Sequence, residues 1–380
     1  MNTYTTTTNH SWISRLRSSF KNVLTGIVLI LIGLALTFWN EGRAVKRAKA
    51  LKSGKNSVVS VTTESNNIPE KELVHLSGLI GSEDVLSDEV FEVSVDGIKL
   101  RRDVYHYQWK EDKKTKKEKE LGGSEKTMTT YDYSKEWSHN LIPSSKFNQS
   151  EKYVNPGNSK YTDQTFVGRA RINQKLPISE KVISRINNFE SLALEPRPNI
   201  GTIANIQIGS NNQTGYYVGR TSVSNPEIGD EFVTFSYVPD GEYSLVGEIA
   251  GGQLGTYGAN SAQPILLVKE GILTSDEMFD AALESNATTT WIFRVLGWIL
   301  IFFGLYSIAS PLVVVADVVP FIGDLLGMGV GLFSGIGATF LFLVTAAIGW
   351  FTYRPLLSIV LLVVGVGIWF GAKRVRSKGA

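Results

Sequence analysis

The chain has no cysteine. That excludes a disulfide scaffold, thiolate zinc or iron–sulfur ligation, and a thiol nucleophile. It leaves the compartment open, because an exported protein need not use disulfides. Histidine is scarce as well: there are four, His10, His75, His106 and His139. None falls in a His-x-x-x-His or Glu-x-x-His pair, so the spacing shows no metal-ligand set, and no metal or cofactor is expected. His106 and His139 read as surface or satisfied strand residues. Net charge is small too, with 38 basic against 36 acidic side chains and a balance of +2, so nothing marks a nucleic-acid binder. Phosphate-cradling glycine loops, the dinucleotide fingerprint and the Gly-x-Ser-x-Gly elbow are absent. The acid pairs Glu83/Asp84 and Asp88/Glu89 sit in loop-like stretches, and no catalytic constellation emerges.

What is present is unevenly distributed. The mean hydropathy of +0.00 resembles that of an ordinary soluble protein, yet from Arg294 to Ala372 only four residues are charged: Arg294, Asp317, Asp324 and Arg354. Within that stretch lie the apolar runs Val295–Ala316, Met328–Phe351 and Leu356–Ala372. A fourth run, Val23–Trp39, lies near the N-terminus. About 20 apolar residues at 1.5 Å rise each cross a bilayer core, so four spans are expected: 23–40, 291–316, 328–352 and 355–372. The first could be a signal peptide, with Arg15, Arg17 and Lys21 as its basic flank. No small-x-small cleavage site follows, and the aromatic edge Phe38-Trp39 suits a retained interfacial anchor.

Orientation has two signals. Lys373, Arg374, Arg376 and Lys378 follow the last span and argue for a cytosolic C-terminus (373–380), hence a cytosolic N-terminal tail (1–22). Against this, Arg43, Lys46, Arg47, Lys49, Lys52 and Lys55 crowd the far end of span one. A helical juxtamembrane segment (41–56) lying on anionic headgroups accounts for those bases on either side.

Between spans one and two, residues 57–290 read as one β-rich α+β extramembrane domain. Phe91–Val95 and Ile98–Arg102 alternate around Asp96-Gly97, a strong short hairpin signal. The return strand carries Tyr105, Tyr107 and Trp109 on one face. The mixed-charge run Lys110–Glu120 before Gly122-Gly123 reads as a solvated hairpin tip, and Met128–Trp137 as the partner strand. Ser179–Phe189 has helical spacing. Gly201–Ile208, Thr214–Val223, Glu231–Val238 and Tyr243–Glu248 read as strands, with Pro239-Asp240-Gly241 as a turn between the last two. Thr274-Ser-Asp-Glu277 is a capping box opening a helix that runs toward span two.

The membrane part carries the candidate site residues. Gly323, Gly327, Gly331 and Gly335 recur at every fourth position from a polar, glycine-rich loop (317–327) into span three. Small residues at this spacing let another helix approach closely where lipid supplies no hydrophobic drive, so the row is expected to be a packing ridge toward another span or a second copy. Asp317 and Asp324 flank Pro320. Acids at membrane depth are functional candidates by default, while the proline favours an interfacial turn. Arg354 lies in the turn between spans three and four and reaches those acids only if both turns share a side. Arg294 reads as a snorkelling anchor. Asn40, Glu41 and Arg43 form the polar cluster at the exit of span one.

These residues carry a resemblance to the transmembrane protein 43 (LUMA) family. The matching stretches are Phe38–Ala44, Arg101-Arg102 through Tyr107-Gln-Trp109, Tyr131-Asp-Tyr133 with Trp137, and Val154-Asn-Pro156. They continue with Ile228-Gly-Asp230, Phe235–Val238, Pro311-Leu312 with Asp317 and Pro320, and Tyr353–Leu356. Where the family pattern has a His before Asn155-Pro156, this chain has Tyr153-Val154. The resemblance implies a multi-pass protein with a lumenal or periplasmic insert and cytosolic termini, and animal members resemble scaffolds that associate with lamins and emerin. The lack of cysteine and the Asn/Thr/Ser bias point to a bacterial member. The expectation is a non-enzymatic scaffold in contact with the bilayer, unidentified membrane proteins and further copies of itself. The alternative is a helical site for a small molecule or lipid built on the membrane acids.

Overall fold

The structure, a computed structural model, describes residues 2–63 and 69–355. β1 (Asn2–His10) leads into α1 (Trp12–Ser57). Then come β2 (Val59–Ser60), β3 (Leu73–Ser82), β4 (Val85–Asp88), β5 (Val93–Asp96), β6 (Lys99–Lys119) and β7 (Glu125–Ser138). Short elements follow: β8 (Gln164–Val167), β9 (Ala170–Ile172), β10 (Leu176–Pro177), the single helical turn α2 (Glu180–Ile183) and β11 (Glu190–Ser191). β12 (Thr202–Ile208), β13 (Asn211–Val218), β14 (Glu231–Val238), β15 (Gly241–Ala250), β16 (Gln253–Gly255) and β17 (Leu267–Glu270) complete the β-rich part. α3 (Ser275–Ala316) and α4 (Pro320–Tyr353) close it.

The chain forms two compact units. One comprises Met1–Thr6, Gly54–Thr115 and Thr129–Phe279; the other comprises Thr7–Ser53, Lys116–Met128 and the chain from Asp280 onward. Lys116–Met128, the tip joining β6 to β7, falls in the same unit as the helices.

Two main sheets build the β-rich part. One runs β1-β7-β6-β14-β13-β12, with β11 also on β14 and β8 on β6; the other runs β10-β9-β3-β15-β16, with β17 on β15 and β2 on β3. Val74, Leu76 and Ile80 of β3 and Leu245 and Ile249 of β15 make one core. Val182, Ile183 and Ile186 pack into it, so the helical spacing from Ser179 onward closes that core although only one turn forms. Phe91, Leu100, Val104, Tyr216, Val233 and Phe235 make a second core.

The long hairpin of β6 and β7 forms as the alternation predicts. Its charged run is strand through Lys119, and Gly122 and Gly123 turn the chain at positive φ. The more buried face of β6 mixes polar with apolar side chains: Leu100, Arg102, Val104, His106 and Gln108 are buried, while Tyr105, Tyr107 and Trp109 are half-buried. Arg102 is paired with buried Asp88, and His106 faces Glu231 at 3.5 Å, as expected of a satisfied strand histidine.

The Asp96-Gly97 hairpin does not form. β5 pairs with β4, while β6 pairs with β14 and β8. Gly97 serves a different purpose: a Cβ there would lie 2.7 Å from the carbonyl oxygen of Val238. Similarly, Pro239-Asp240-Gly241 does not close a hairpin, because β14 and β15 lie in different sheets.

Among the described residues, three helices are long and apolar enough to cross a membrane: α1, α3 and α4, of 46, 42 and 34 residues. The fourth expected span, 355–372, and the basic tail 373–380 lie outside the described residues, Pro355 excepted. The capping box is present, with the Glu277 carboxylate accepting from the Thr274 backbone N–H at 2.8 Å and the Glu277 N–H donating to Thr274 Oγ1 at 3.3 Å. α3 continues from it without a break into the apolar run. The expected loop 317–327 is shorter: α4 begins at Pro320, which sits at the first helical position, where its missing N–H costs nothing.

Candidate functional site

Polar side chains gather at two places in the helical unit. The first is built on the exit of the α1 apolar run. Glu41, 2% exposed, accepts from both Nε and Nη2 of Arg294 on α3, at 2.7 and 2.9 Å. Its Oε2 also accepts from the indole Nε1 of Trp350 on α4 at 2.7 Å. The Arg294 guanidinium lies over the rings of Trp291 and Trp350 at 4.9 and 5.8 Å. Arg294 is therefore the counter-ion of a buried carboxylate and not an isolated anchor. A planar guanidinium meeting a carboxylate through two parallel bonds is the geometry arginine supplies and lysine does not.

The neighbours of Glu41 serve the same junction. Asn40 donates to the Thr290 carbonyl at 3.0 Å and accepts from Arg43 Nη2 at 3.0 Å. Arg43 donates onward to Asn286 Oδ1 at 3.0 Å and Thr290 Oγ1 at 3.1 Å. Phe38 packs on Tyr353 at 5.7 Å, and Trp39 meets Phe293 edge-on at 5.7 Å. A Cβ on Gly42 would fall 2.6 Å from the Tyr353 ring, and one on Gly349 would fall 3.0 Å from Glu41 Cβ. So Phe38–Arg43 is a docking strip on which three helices converge.

The second cluster centres on Asp317, 1% exposed, between α3 and α4. Arg15 of α1 donates to its Oδ2, and Lys119 of the hairpin tip donates to its Oδ1 at 2.7 Å. Lys119 also donates to Asp324 at 2.7 Å. Arg15 reaches the Gly123 carbonyl at 2.6 Å and Glu125 at 3.7 Å, and Lys117 pairs with Glu125 at 3.1 Å. Trp12 Nε1 donates to the Val314 carbonyl at 2.9 Å, and the Gly122 N–H to the Val318 carbonyl at 3.0 Å. Burial depresses the Lys119 ammonium, but hydrogen bonds to the two aspartates outweigh it and its pKa is raised. The membrane acids of the sequence are thus neutralised in place. Arg354 stands apart from this group: its N–H caps α4 on Trp350, beside Tyr353 and hence at the Glu41 end.

Arg15 and Glu41 are separated along α1 by roughly 39 Å of helix at 1.5 Å per residue. That distance matches a bilayer core of about 30 Å with its interfaces. The two clusters therefore tie the helices together at the two edges of the apolar stretch.

Between them, α1 and α3 touch through glycines the sequence reading did not select. A Cβ on Gly26 would come 2.5 Å from the Gly304 carbonyl oxygen, and one on Gly304 would come 2.8 Å from that of Gly26. Gly33 stands in the same relation to Gly297, at 2.9 Å. The pairs repeat at seven-residue spacing on both helices, and that shared spacing was the available signal. The row on α4 is more open toward its C-terminal end. Gly323 makes room for the Asp317 carboxylate, Gly327 has ordinary space beside Val313, Gly331 has nothing within 4 Å, and Gly335 meets only Phe302 at 4.0 Å. Among the described residues, no helix backbone packs on that row.

A family model described as Transmembrane protein 43 matches residues 106–355. The chain is 32% identical to human transmembrane protein 43 over 379 residues, covering 96% of this chain and 92% of the relative. The chain belongs to the transmembrane protein 43 family. It is also 32% identical to the mouse protein, covering 91% of this chain and 88% of the relative, and 30% identical to the Drosophila melanogaster homolog, covering 93% and 95%. No solved structure matches. As a member of this family the chain is a membrane protein, and two of its stretches of resemblance, Phe38–Ala44 and Tyr353, are the parts that meet at the Glu41 junction.

Proposed function

We propose that this transmembrane protein 43 relative is a non-enzymatic membrane scaffold. It self-associates through the open face of α4 and holds its β-rich unit for other membrane proteins. One observation carries the reading. Leu332, Ile336 and Phe340 are 63–70% exposed beside Gly331 and Gly335, and with Trp298 and Thr339 they line an apolar groove of about 590 Å³. Glycines that leave a groove open are where a second helix gains close packing in lipid. The ion-paired state of Glu41, Asp317 and Asp324 supports a structural role for the acids.

The absence of cysteine and the Asn/Thr/Ser bias support a bacterial inner membrane as the location. In a eukaryotic cell the same reading corresponds to the endoplasmic reticulum or inner nuclear membrane. The test is the oligomeric state of detergent-solubilised protein by light scattering: Gly331→Leu with Gly335→Leu lowers the mass toward the single chain, and an unchanged oligomer rejects the proposal.

A second reading, a site for a lipid or small polar molecule, is favoured by a cavity of about 460 Å³. It is lined by His10, Ser14, Arg15, Ser18, Lys117 and Ser310, among others. Retention of anionic phospholipid through purification that is lost in Ser14→Leu would select it.

A further inference from the structure

Outside the helices, one cluster of side chains has the make-up of a ligand set that neither the helical junctions nor the strand pairing explains. Asp103 lies on β6, His139 directly follows β7, and Asp163 directly precedes β8. Far apart in sequence, they converge because β8 folds back antiparallel onto β6, placing Gln164 opposite Arg102.

We propose that Asp103, His139 and Asp163 form a divalent-cation site of the zinc type. His139 Nε2 lies 3.5 Å from Asp103 Oδ1 and 3.6 Å from Asp163 Oδ2, and the three ligand atoms all fall within 4.8 Å of one another. In each carboxylate the other oxygen is already engaged. Asp103 Oδ2 is ion-paired with Arg101 Nε at 2.9 Å, and Asp163 Oδ1 accepts the Val104 N–H at 2.8 Å. The His139 ring stands edge-on to Tyr105 at 5.3 Å, which fixes its plane. Outer partners of this kind orient first-sphere ligands and leave the remaining atoms aimed at a common point.

One imidazole with two carboxylates suits a borderline ion such as Zn²⁺, and ligand distances of about 2.0–2.2 Å are reached by tilting the side chains inward. Mg²⁺ and Ca²⁺ take oxygen donors and gain little from the imidazole. His139 and Asp163 are 41% and 49% exposed, so an ion has a route in from solvent and keeps open positions for water. Without an ion, the same geometry serves as a histidine shared by two acids. The proposal and that ion pair make different predictions.

The experiment is calorimetric titration of the EDTA-treated full-length protein in detergent with Zn²⁺, repeated in His139→Gln, Asp103→Asn and Asp163→Asn. Asp163→Asn keeps an oxygen for the Val104 N–H, so its metal-free melting temperature is expected to match the unaltered chain. One Zn²⁺ per chain, weakened at least tenfold in each variant and not displaced by a tenfold excess of Ca²⁺, is the expected result. No stoichiometric binding, or equal binding in all three variants (an adventitious ion only), overturns it. Should a variant fail to fold, diethyl pyrocarbonate labelling of the unaltered chain decides: Zn²⁺ protects His139 from modification if it is a ligand, and unchanged labelling overturns the proposal.

Discussion

Arg294 and Glu41, 253 residues apart in sequence, meet through two parallel hydrogen bonds. Trp350 completes the carboxylate. Both ions are largely withdrawn from water, so each is costly without the other.

Removal of one partner is therefore expected to be worse than removal of both. Arg294→Met leaves a buried carboxylate unpaired and should cost about 3–5 kcal/mol. Glu41→Gln together with Arg294→Gln should cost less than Arg294→Met alone. Equilibrium unfolding in mixed micelles measures both, and an additive or greater loss in the double variant would show that the pair is not coupled.

The two glycine rows should separate by phenotype. Gly304→Ala puts a methyl against the Gly26 carbonyl and is expected to lower stability by about 1–3 kcal/mol through overpacking. Gly331→Ala adds a methyl to open space and should leave the stability of the single chain unchanged. Melting of the two variants in the same detergent is the comparison, and equal losses would contradict the assigned contacts.

The Asp317 cluster requires the N-terminal end of α1 and the tip of the β6–β7 hairpin to share one side of the membrane. A Cβ on Gly123 would touch the Trp12 ring. Trp12→Cys with Gly123→Cys should form a disulfide on mild oxidation, in a chain that otherwise has no cysteine. Absence of cross-linking in a folded double variant would place the tip on the opposite side, where the resemblance puts the whole insert.

Acid should weaken the β-rich unit through His75. This histidine is buried on β3; its Nε2 lies 2.9 Å from the Leu273 carbonyl, and its Nδ1 faces Ser60 Oγ at 3.2 Å. Burial lowers its pKa below the usual 6.5, only partly offset by the bond to Leu273. A lowered folded-state value means the neutral form is favoured on folding. The stability is present above the unfolded value of about 6.5 and is lost as pH falls through the folded one. Urea midpoints should drop between pH 7.5 and pH 5, and the drop should shrink in His75→Gln.

The elements legible in the sequence were those governed by local rules. The first three apolar runs, the β6–β7 alternation and the Thr274 capping box each specify their own conformation, and each appears among the described residues. Misreadings arose where a residue answers to something distant. Gly97 has the sequence of a turn but is needed because Val238 passes close by. A different limit applies to the four-residue glycine row on α4: periodicity on one helix does not say what it meets, and the glycine-to-glycine helix contacts among the described residues lie between α1 and α3. Glu41 and Arg294 were each visible as polar residues near a span edge. Their partnership was not, because nothing local encodes a bond across 253 positions.

The Asp317 cluster contains three bases, Arg15, Lys117 and Lys119, and three acids, Glu125, Asp317 and Asp324. A transmembrane voltage does work on net charge, about 2.3 kcal/mol for each unit carried across 100 mV. A group of six charges that sums to zero offers the field almost nothing to pull on. The cluster is thus nearly silent to the field, and the response of this end of the helices to membrane potential rests on the remaining charges of its flank, Arg17 and Lys21.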